Sequence, residues 1–303
     1  MDTRYLKTLV TAVEAGSFSK AATILHLTQS AVSQRIKFLE DRFGQKLMCR
    51  FGSTLGLTQA GELVLEAAYR VIALQDALVR DLQRLTDKQQ LSLCCTPTFG
   101  TVFLPDVLNT FMLENSSSVD LKFLFLSPGQ ALEGVRNQEF DLVVVEHCRE
   151  RDLSGFQTYP LPEDELVFVS APELALSAPD IDLDELLKMR LFARKDSCSS
   201  KKLLMTGFAK AGRQLEEFTG VIVSDDLHLT CQTVLAGGGV SFMSKSLVQK
   251  YLDSGQMVAH YLKGFNSRRC RTVIFNKGRD EEEIFRNFVN VVFRVMGESQ
   301  PFS

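Results

Sequence analysis

The 303-residue sequence predicts a small helical head with a β-hairpin, one long helix and a larger α/β body. Three observations carry this. Short amphipathic runs separated by turn residues fill the stretch up to Arg50, a proline-free helical run extends from Thr58 to about Thr86, and short apolar runs alternate with helical ones after Leu91. Strands alternating with helices imply α/β layers with mainly parallel pairing.

Composition is compatible with that plan: 45% hydrophobic and 23% charged residues suit a soluble globular protein of two or three domains. The opening MDTRYLKTLV carries charge where a signal peptide needs an apolar stretch, and no window reaches the length of a membrane span, so no membrane partner and a cytoplasmic location are expected. Seven cysteines without a CxxC pair point to reduced thiols. The net charge of −3 conceals an asymmetry. Through residue 60, Arg4, Lys7, Lys20, Arg35, Lys37, Arg42, Lys46 and Arg50 outnumber Asp2, Glu14, Glu40 and Asp41, which leaves a basic head on an acidic body. Such a head suits phosphate binding.

Within the head, Tyr5, Leu6, Leu9, Val10 and Val13 share one face of a first helix that Gly16 ends. Ser17 is expected to cap a second, whose Phe18, Ala21, Ala22 and Leu25 allow close packing, and Thr28 a third. In the third helix Val32, Ile36, Leu39 and Phe43 form the apolar stripe, while Gln29, Ser30, Ser33, Gln34 and Lys37 project from the other side. Two helices joined by the turn at His26–Thr28 make a helix-turn-helix whose second member enters the major groove, where Gln pairs with adenine and Ser meets base edges or phosphate. Lys46–Arg50 and Leu55–Leu57, flanking Phe51-Gly52-Ser53-Thr54, read as a hairpin wing, with Arg50 placed for a phosphate or the minor groove.

The segments Val13–Ala22 (VEAGSFSKAA), Leu27–Glu40 (LTQSAVSQRIKFLE), Gly44–Arg50 (GQKLMCR) and Leu57–Gly61 (LTQAG) closely resemble the winged helix-turn-helix of LysR-type transcriptional regulators. Met48 stands where that family usually has phenylalanine, a volume-similar exchange. The resemblance implies a bacterial DNA reader of double-stranded DNA, with Thr28, Gln29, Ser30, Ser33, Gln34, Lys37, Arg50 and Thr54 as the contact residues. In the long helix, Val64, Ala67, Val71, Leu74 and Leu78 follow a 3,4,3,4 spacing that Leu82 and Leu85 continue imperfectly. Resemblance to the family's linker helix implies pairing with a second copy, as a dimer or tetramer, with Thr86–Gln90 as hinge.

In the body, Leu91–Cys95, Val119–Leu126, Asp141–Val145, Glu165–Ala171, Met189–Ala193, Gly220–Ser224 and Gly239–Met243 read as strands and Phe103–Leu113 as a helix. Their order, with TPTFGTVFLPDVL (Thr96–Leu108), EFDLV (Glu139–Val143), PLPEDELVFV (Pro160–Val169) and VLAGGGV (Val234–Val240), resembles the family's two-lobed effector-binding domain, related in fold to periplasmic binding proteins. Ser244 departs from the proline common after the glycine-rich turn, so a different local loop is expected there. The implied plan is a DNA-binding domain at 1–58, a linker helix and hinge at 59–88 and an effector domain at 89–303. Its first lobe comprises about 89–163 and 268–303, its second 164–267, with chain crossings near Glu163 and Gly264 and a closing helix at Glu281–Val295.

By position, the resemblance assigns a small-molecule effector, often a carboxylate, to Thr96, Thr98 and Phe99, to Ser127, Pro128 and Gly129, to Glu146 and His147, and to Ser197, Ser199 and Ser200. Thr98 and Ser199 are expected to grip one anion from opposite lobes. Glu146, if it faces the cleft, opposes a simple carboxylate and favours an amino-bearing effector unless His147 or Arg149 offsets it. RNA polymerase is a further implied partner. An alternative is a LysR-like redox sensor using Cys94, Cys95 and Cys198, the last near Lys195, Lys201 and Lys202. No enzyme is expected: GxGxxG, P-loop, GxSxG and HExxH are all missing, and four scattered histidines define no metal spacing, so neither catalytic residues, metal nor cofactor are assigned. A nucleoid-like structural DNA protein would not need a sensory body of this size.

Overall fold

The computed structural model describes residues 2–51, 54–83, 89–115 and 119–302. Contacts divide the chain into two compact units, Met1–Asp87 with Asn137–Glu139, and Lys88–Arg136 with Phe140–Ser303.

In the first unit, α1 (Thr3–Glu14), α2 (Phe18–Ile24) and α3 (Gln29–Phe43) precede a hairpin of β1 (Met48–Phe51) and β2 (Thr54–Leu57) and the long α4 (Gln59–Gln83). This is a winged helix-turn-helix. Each boundary has a local cause. Asp2 accepts from the Arg4 amide at 2.9 Å and Thr28 from the Ala31 amide at 3.2 Å, while Gly16 and Gly44 take left-handed backbone at φ 61° and 65°. Ser17 occupies the N-cap position of α2 but its hydroxyl makes no capping bond. Leu6, Leu9, Ile36, Leu39, Leu47 and Ala68 form the core, with Ala12, Ala21, Ala22 and Val32 where α2 and α3 approach closely. Phe43, expected in the apolar stripe, is exposed at the helix end.

The turn into the wing hangs on Glu40, whose buried carboxylate accepts from the Leu47 and Met48 amides at 3.0 and 3.3 Å and from Lys46 at 2.6 Å. Burial opposes its charge, yet these bonds outweigh it and hold its pKa below the ordinary value. Thr58 starts α4 by accepting from the Gly61 amide at 3.0 Å. A Cβ on Gly61 would lie 2.0 Å from the Leu47 carbonyl oxygen, so glycine permits α4 to cross the wing's entry.

The second unit opens with β3 (Gln89–Cys95), α5 (Pro97–Val102), α6 (Leu104–Glu114), β4 (Val119–Phe125), α7 (Pro128–Arg136), β5 (Leu142–His147) and β6 (Gln157–Ser170). It continues with α8 (Leu183–Leu186), β7 (Arg190–Ala193), α9 (Ser199–Lys210), β8 (Gly220–Val223), α10 (Leu227–Leu235), β9 (Val240–Ser244), α11 (Lys245–Asp253), β10 (Val258–His260), β11 (Arg268–Phe275) and α12 (Glu283–Val295). Strand order is β4-β3-β5-β11-β6-β9-β7-β8, with β10 beside β6. Each lobe has a parallel trio, β4-β3-β5 and β9-β7-β8. Pairing is nevertheless mixed rather than mainly parallel, because β11 runs antiparallel to β5 and β6, and β6 antiparallel to β9.

The 14-residue β6 is the hinge strand: Gln157–Glu165 pair with β11 in the first lobe and Leu166–Val169 with β9 in the second. It begins eight residues before the expected strand at Glu165. Pro160 and Pro162 obscure it in sequence, but this half is hydrogen-bonded only toward β11, where proline is tolerated. The first lobe packs Phe99, Phe111, Phe275, Phe285 and Phe288 on one sheet face and Val135, Val143 and Ile274 on the other. The second lobe packs Leu166, Leu191, Phe208 and Phe242 against one face and Val167, Val169, Val234 and Val248 against the other.

Candidate functional sites

On α3 the helical period sends Val32, Ile36 and Leu39 inward and leaves Gln29, Ser30, Ser33, Gln34 and Lys37 exposed, with Thr28 at the cap. Thr28 and Ser30 share a 2.9 Å hydroxyl contact, and no side-chain partner among the described residues holds Gln29, Ser33, Gln34 or Lys37. Arg35, on the flank, is instead tied to Thr8 at 3.3 Å. Arg50 and Thr54 pair through their neighbours in the hairpin, and their side chains, with Gly52 and Ser53, lie outside the described residues. Of the assigned hinge, Thr86–Gln90, residues 86–88 likewise lie outside the described residues, and Gln89 and Gln90 begin a strand.

On α4, Val64 packs against the core of its own unit, whereas Ala67, Val71, Leu74 and Leu78 are exposed. Four of the five stripe residues are thus exposed, and the buried alanines of α4, Ala68 and Ala73, lie outside the stripe.

In the second unit, a cavity of about 210 Å³ opens between the lobes. Thr96, Thr98, Ser127, Pro128, Ser199 and Ser200 line it, as the sequence reading expects. The starts of α7 and α9 both reach it, an arrangement in which backbone N–H groups favour an anion. The other candidates lie away from the lining and are corrected here. Phe99 sits in the first-lobe core, 5.7 Å from the Phe103 ring, because the helical turn after Thr98 points it inward. Gly129 and Ser197 face solvent. His147 is buried between the Cys148 carbonyl and the Thr272 hydroxyl, both at 2.9 Å. Glu146 is fully buried, bonded to the Thr96 hydroxyl and to Arg271 Nε at 3.2 Å, so its charge is cancelled inside the protein and does not oppose a carboxylate.

The groups that sequence reading missed are the cations. Arg269, buried on β11, donates through Nε to Asp164 at 2.8 Å, through Nη1 to Ser199 at 2.8 Å and through Nη2 to Thr98 at 3.2 Å. One guanidinium therefore already joins the two hydroxyls expected to share a ligand. Burial acts against its charge, but Asp164 and Glu146 outweigh that and raise its pKa. Asp164 is also the acceptor of the Ser244 hydroxyl at 2.6 Å, a bond that a proline there could not make. Arg194, nearly buried, donates to Asp225 Oδ1 through Nε and Nη2 at 3.3 and 3.0 Å, and Lys195 pairs with Oδ2. The run Ser267-Arg268-Arg269-Cys270-Arg271, basic residues inside an apolar strand, was the available signal for Arg269.

The cysteines are dominated by burial rather than by these cations. Burial pushes the Cys94 thiol up to about 12, and Cys95 and Cys198 are raised by the same cause. Cys198 lines the cavity beside Arg194 and Lys195, which favour a thiolate, but burial, with the Asp225 carboxylate 3.8 Å from its sulfur, outweighs them.

Residues 86–297 match the family described as LysR substrate binding domain, and residues 3–62 match bacterial regulatory helix-turn-helix protein, lysR family. The chain belongs to the LysR family of transcriptional regulators. Among relatives of this LysR-type regulator, a probable RuBisCO transcriptional regulator of Cyanophora paradoxa is 26% identical, covering 98% of this chain and 92% of that protein. Another from Trieres chinensis is 25% identical, covering 90% and 89%. The crystal structure of CbnR, a LysR family transcriptional regulator, superposes with TM-score 0.62 at 20% identity, covering 98% of this chain and 99% of that one. CbnR complexed with its target DNA gives 0.60 at 20% identity, covering 97% and 100%. Both structures have the fold described above for this LysR-type regulator.

Proposed function

We propose that this LysR-type regulator reads a specific site in double-stranded DNA through α3 and that a small anion bound between the lobes alters that reading. The observation that carries the effector half is the cavity itself: the starts of two helices meet Arg194, Lys195 and Arg269 in a space sized for a metabolite. The DNA half is supported by the exposed, unengaged donors and acceptors of Gln29, Ser33, Gln34 and Lys37. Exposed Val71, Leu74 and Leu78 on α4 suit a second copy, which would present two reading helices to paired half-sites. RNA polymerase is the expected partner of a regulator bound beside a promoter, and the cytoplasm its expected location. Ligand binding acts by changing the angle between lobes, since the cavity draws residues from both. The burial that raises Cys94, Cys95 and Cys198 counts against the redox alternative.

The test uses the full chain with DNA selected from a random pool and a panel of small carboxylates. At least one member is expected to raise the melting point and to change affinity for the selected DNA. Failure of the pool to enrich any sequence, or of every carboxylate to do both, would overturn the respective half.

A further inference from the structure

The cavity poses a physical difficulty for an anion, because its cationic side chains are already bonded to protein partners. The Ser127 hydroxyl donates to Gln130 at 2.8 Å. Arg269 is engaged by Asp164, Ser199 and Thr98. Arg194 and Lys195 are taken by Asp225. A ligand that pairs with one of these cations must displace a protein contact, and the contacts differ greatly in how firmly they are held. Asp164 and Arg269 are 2% and 5% exposed, so separating them would strand two buried charges. Asp225 is 42% exposed while its partner Arg194 is only 9% exposed. The cation is built into the wall, and the carboxylate sits at the rim where water can solvate it.

The geometry of that pair is the geometry an oxyanion ligand would adopt. Oδ1 accepts two N–H bonds from one guanidinium, and Oδ2 takes the Lys195 ammonium. Burial works against the Asp225 charge, yet Lys195 and Arg194 outweigh it and lower the pKa, so the carboxylate is ionised at neutral pH. Room to leave exists as well: a second, more open cavity of about 710 Å³ adjoins, and Asp225 and Pro97 line both. The charges count in the same direction. Arg269 is matched by Asp164 and Arg271 by Glu146, whereas Arg194 and Lys195 share one carboxylate. One positive charge is left over to attract an anion before exchange begins.

We propose that Asp225 is a built-in counter-anion occupying the ligand's place on Arg194 and Lys195, and that a ligand bearing a carboxylate or similar oxyanion binds by exchanging with it. This rests on the reading of the cavity as an effector site. Exchange sets affinity by difference, since every ligand competes with a tethered carboxylate. It also supplies a mechanical output, because Asp225 precedes α10, and its release frees the β8–α10 connection from the Arg194 wall.

Inorganic sulfate serves as the probe, titrated into the full chain at constant ionic strength with melting point and calorimetry as readouts. Asp225→Asn removes the competitor's charge while keeping its shape, and its exposed position makes misfolding an unneeded explanation. Sulfate should bind Asp225→Asn at least about tenfold more tightly than the parent, the scale of one charge-assisted contact. Adding Arg194→Gln to that variant should remove the gain. Equal or weaker sulfate affinity in folded Asp225→Asn, including no saturable binding by either protein, overturns the exchange. A gain that survives Arg194→Gln overturns it too, as an adventitious ion only. A metabolite that binds the parent and alters its DNA affinity, alongside equal sulfate affinities, would remove the exchange and leave the regulator reading intact.

Discussion

The outer face of α3 and the wall of the interlobe cavity are both polar, but they hold their polar groups in opposite ways. On α3, Gln29, Ser33, Gln34 and Lys37 are exposed and held by no described side chain, so their bonding capacity is available to a partner. In the cavity, Thr98 and Ser199 are buried and engaged with Arg269, and Arg194 is buried and engaged with Asp225. A surface that reads DNA gains by being unsatisfied in protein and satisfied by water, because water is displaced cheaply. A buried site has no water to lean on, and each group left unpaired there is costly. On the reading proposed above, the regulator would meet its DNA with free groups and an anionic ligand with cations that must first let go.

The sharpest way to break the comparison is to unpair the buried side. Asp164→Ala leaves Arg269 and Arg271 without their shared carboxylate, and should destabilise the second unit by about 3 to 5 kcal/mol in urea unfolding. A loss of a few tenths would mean that water reaches this network and that it is no more engaged than α3. Next in size is Leu74→Asp. Leu74 is 65% exposed within one chain, so the subunit should fold unchanged while self-association falls by about a hundredfold, about 3 kcal/mol. Unaltered sedimentation would show that α4 is not the pairing surface.

On the reading face, Gln29→Ala or Ser33→Ala should cost about 1 to 3 kcal/mol on the selected DNA and almost nothing on random DNA or in stability. Equal losses on both DNAs would make these residues backbone contacts instead of base readers. The smallest effect expected is pH-dependent. Burial holds His147 below its ordinary value of 6.5, and His260 is lowered by the same cause. Below pH 6.5 the unfolded chain therefore takes up protons that the folded chain refuses. Stability is full above that value and declines as pH falls toward the folded pKa. Denaturant midpoints at about pH 7.5 and 5.5 should show this decline, and His147→Asn should flatten it, with α3 variants leaving it untouched.

The head was legible because its causes are local. Gly16, Thr28, Gly44 and Thr58 set boundaries through their own backbone or hydroxyl, and a period of 3.6 residues separates Val32 and Ile36 from Ser33 and Lys37 without reference to anything distant. The body was legible as strands and helices in order, and the hydroxyl-bearing lining at Thr96, Thr98, Ser127, Ser199 and Ser200 lies at the positions that the family resemblance implied. Its charge was not. Glu146 looks in sequence like a cleft acid and is in fact neutralised by Arg271, a partner 125 residues away. Phe99 adjoins a lining residue but turns into the core.

Helix spacing, caps and turns, each set within a few residues, thus determined by sequence alone which face of α3 is polar and exposed and which elements follow one another. Only the tertiary structure decided that Thr98 and Ser199 meet through Arg269, that Asp225 rests on Arg194, and that β6 serves two lobes. Those outcomes depend on pairings separated by 31 to 171 residues. In a buried site the ionic partner determines what a residue can do, and local periodicity carries no information about which distant strand will deliver that partner.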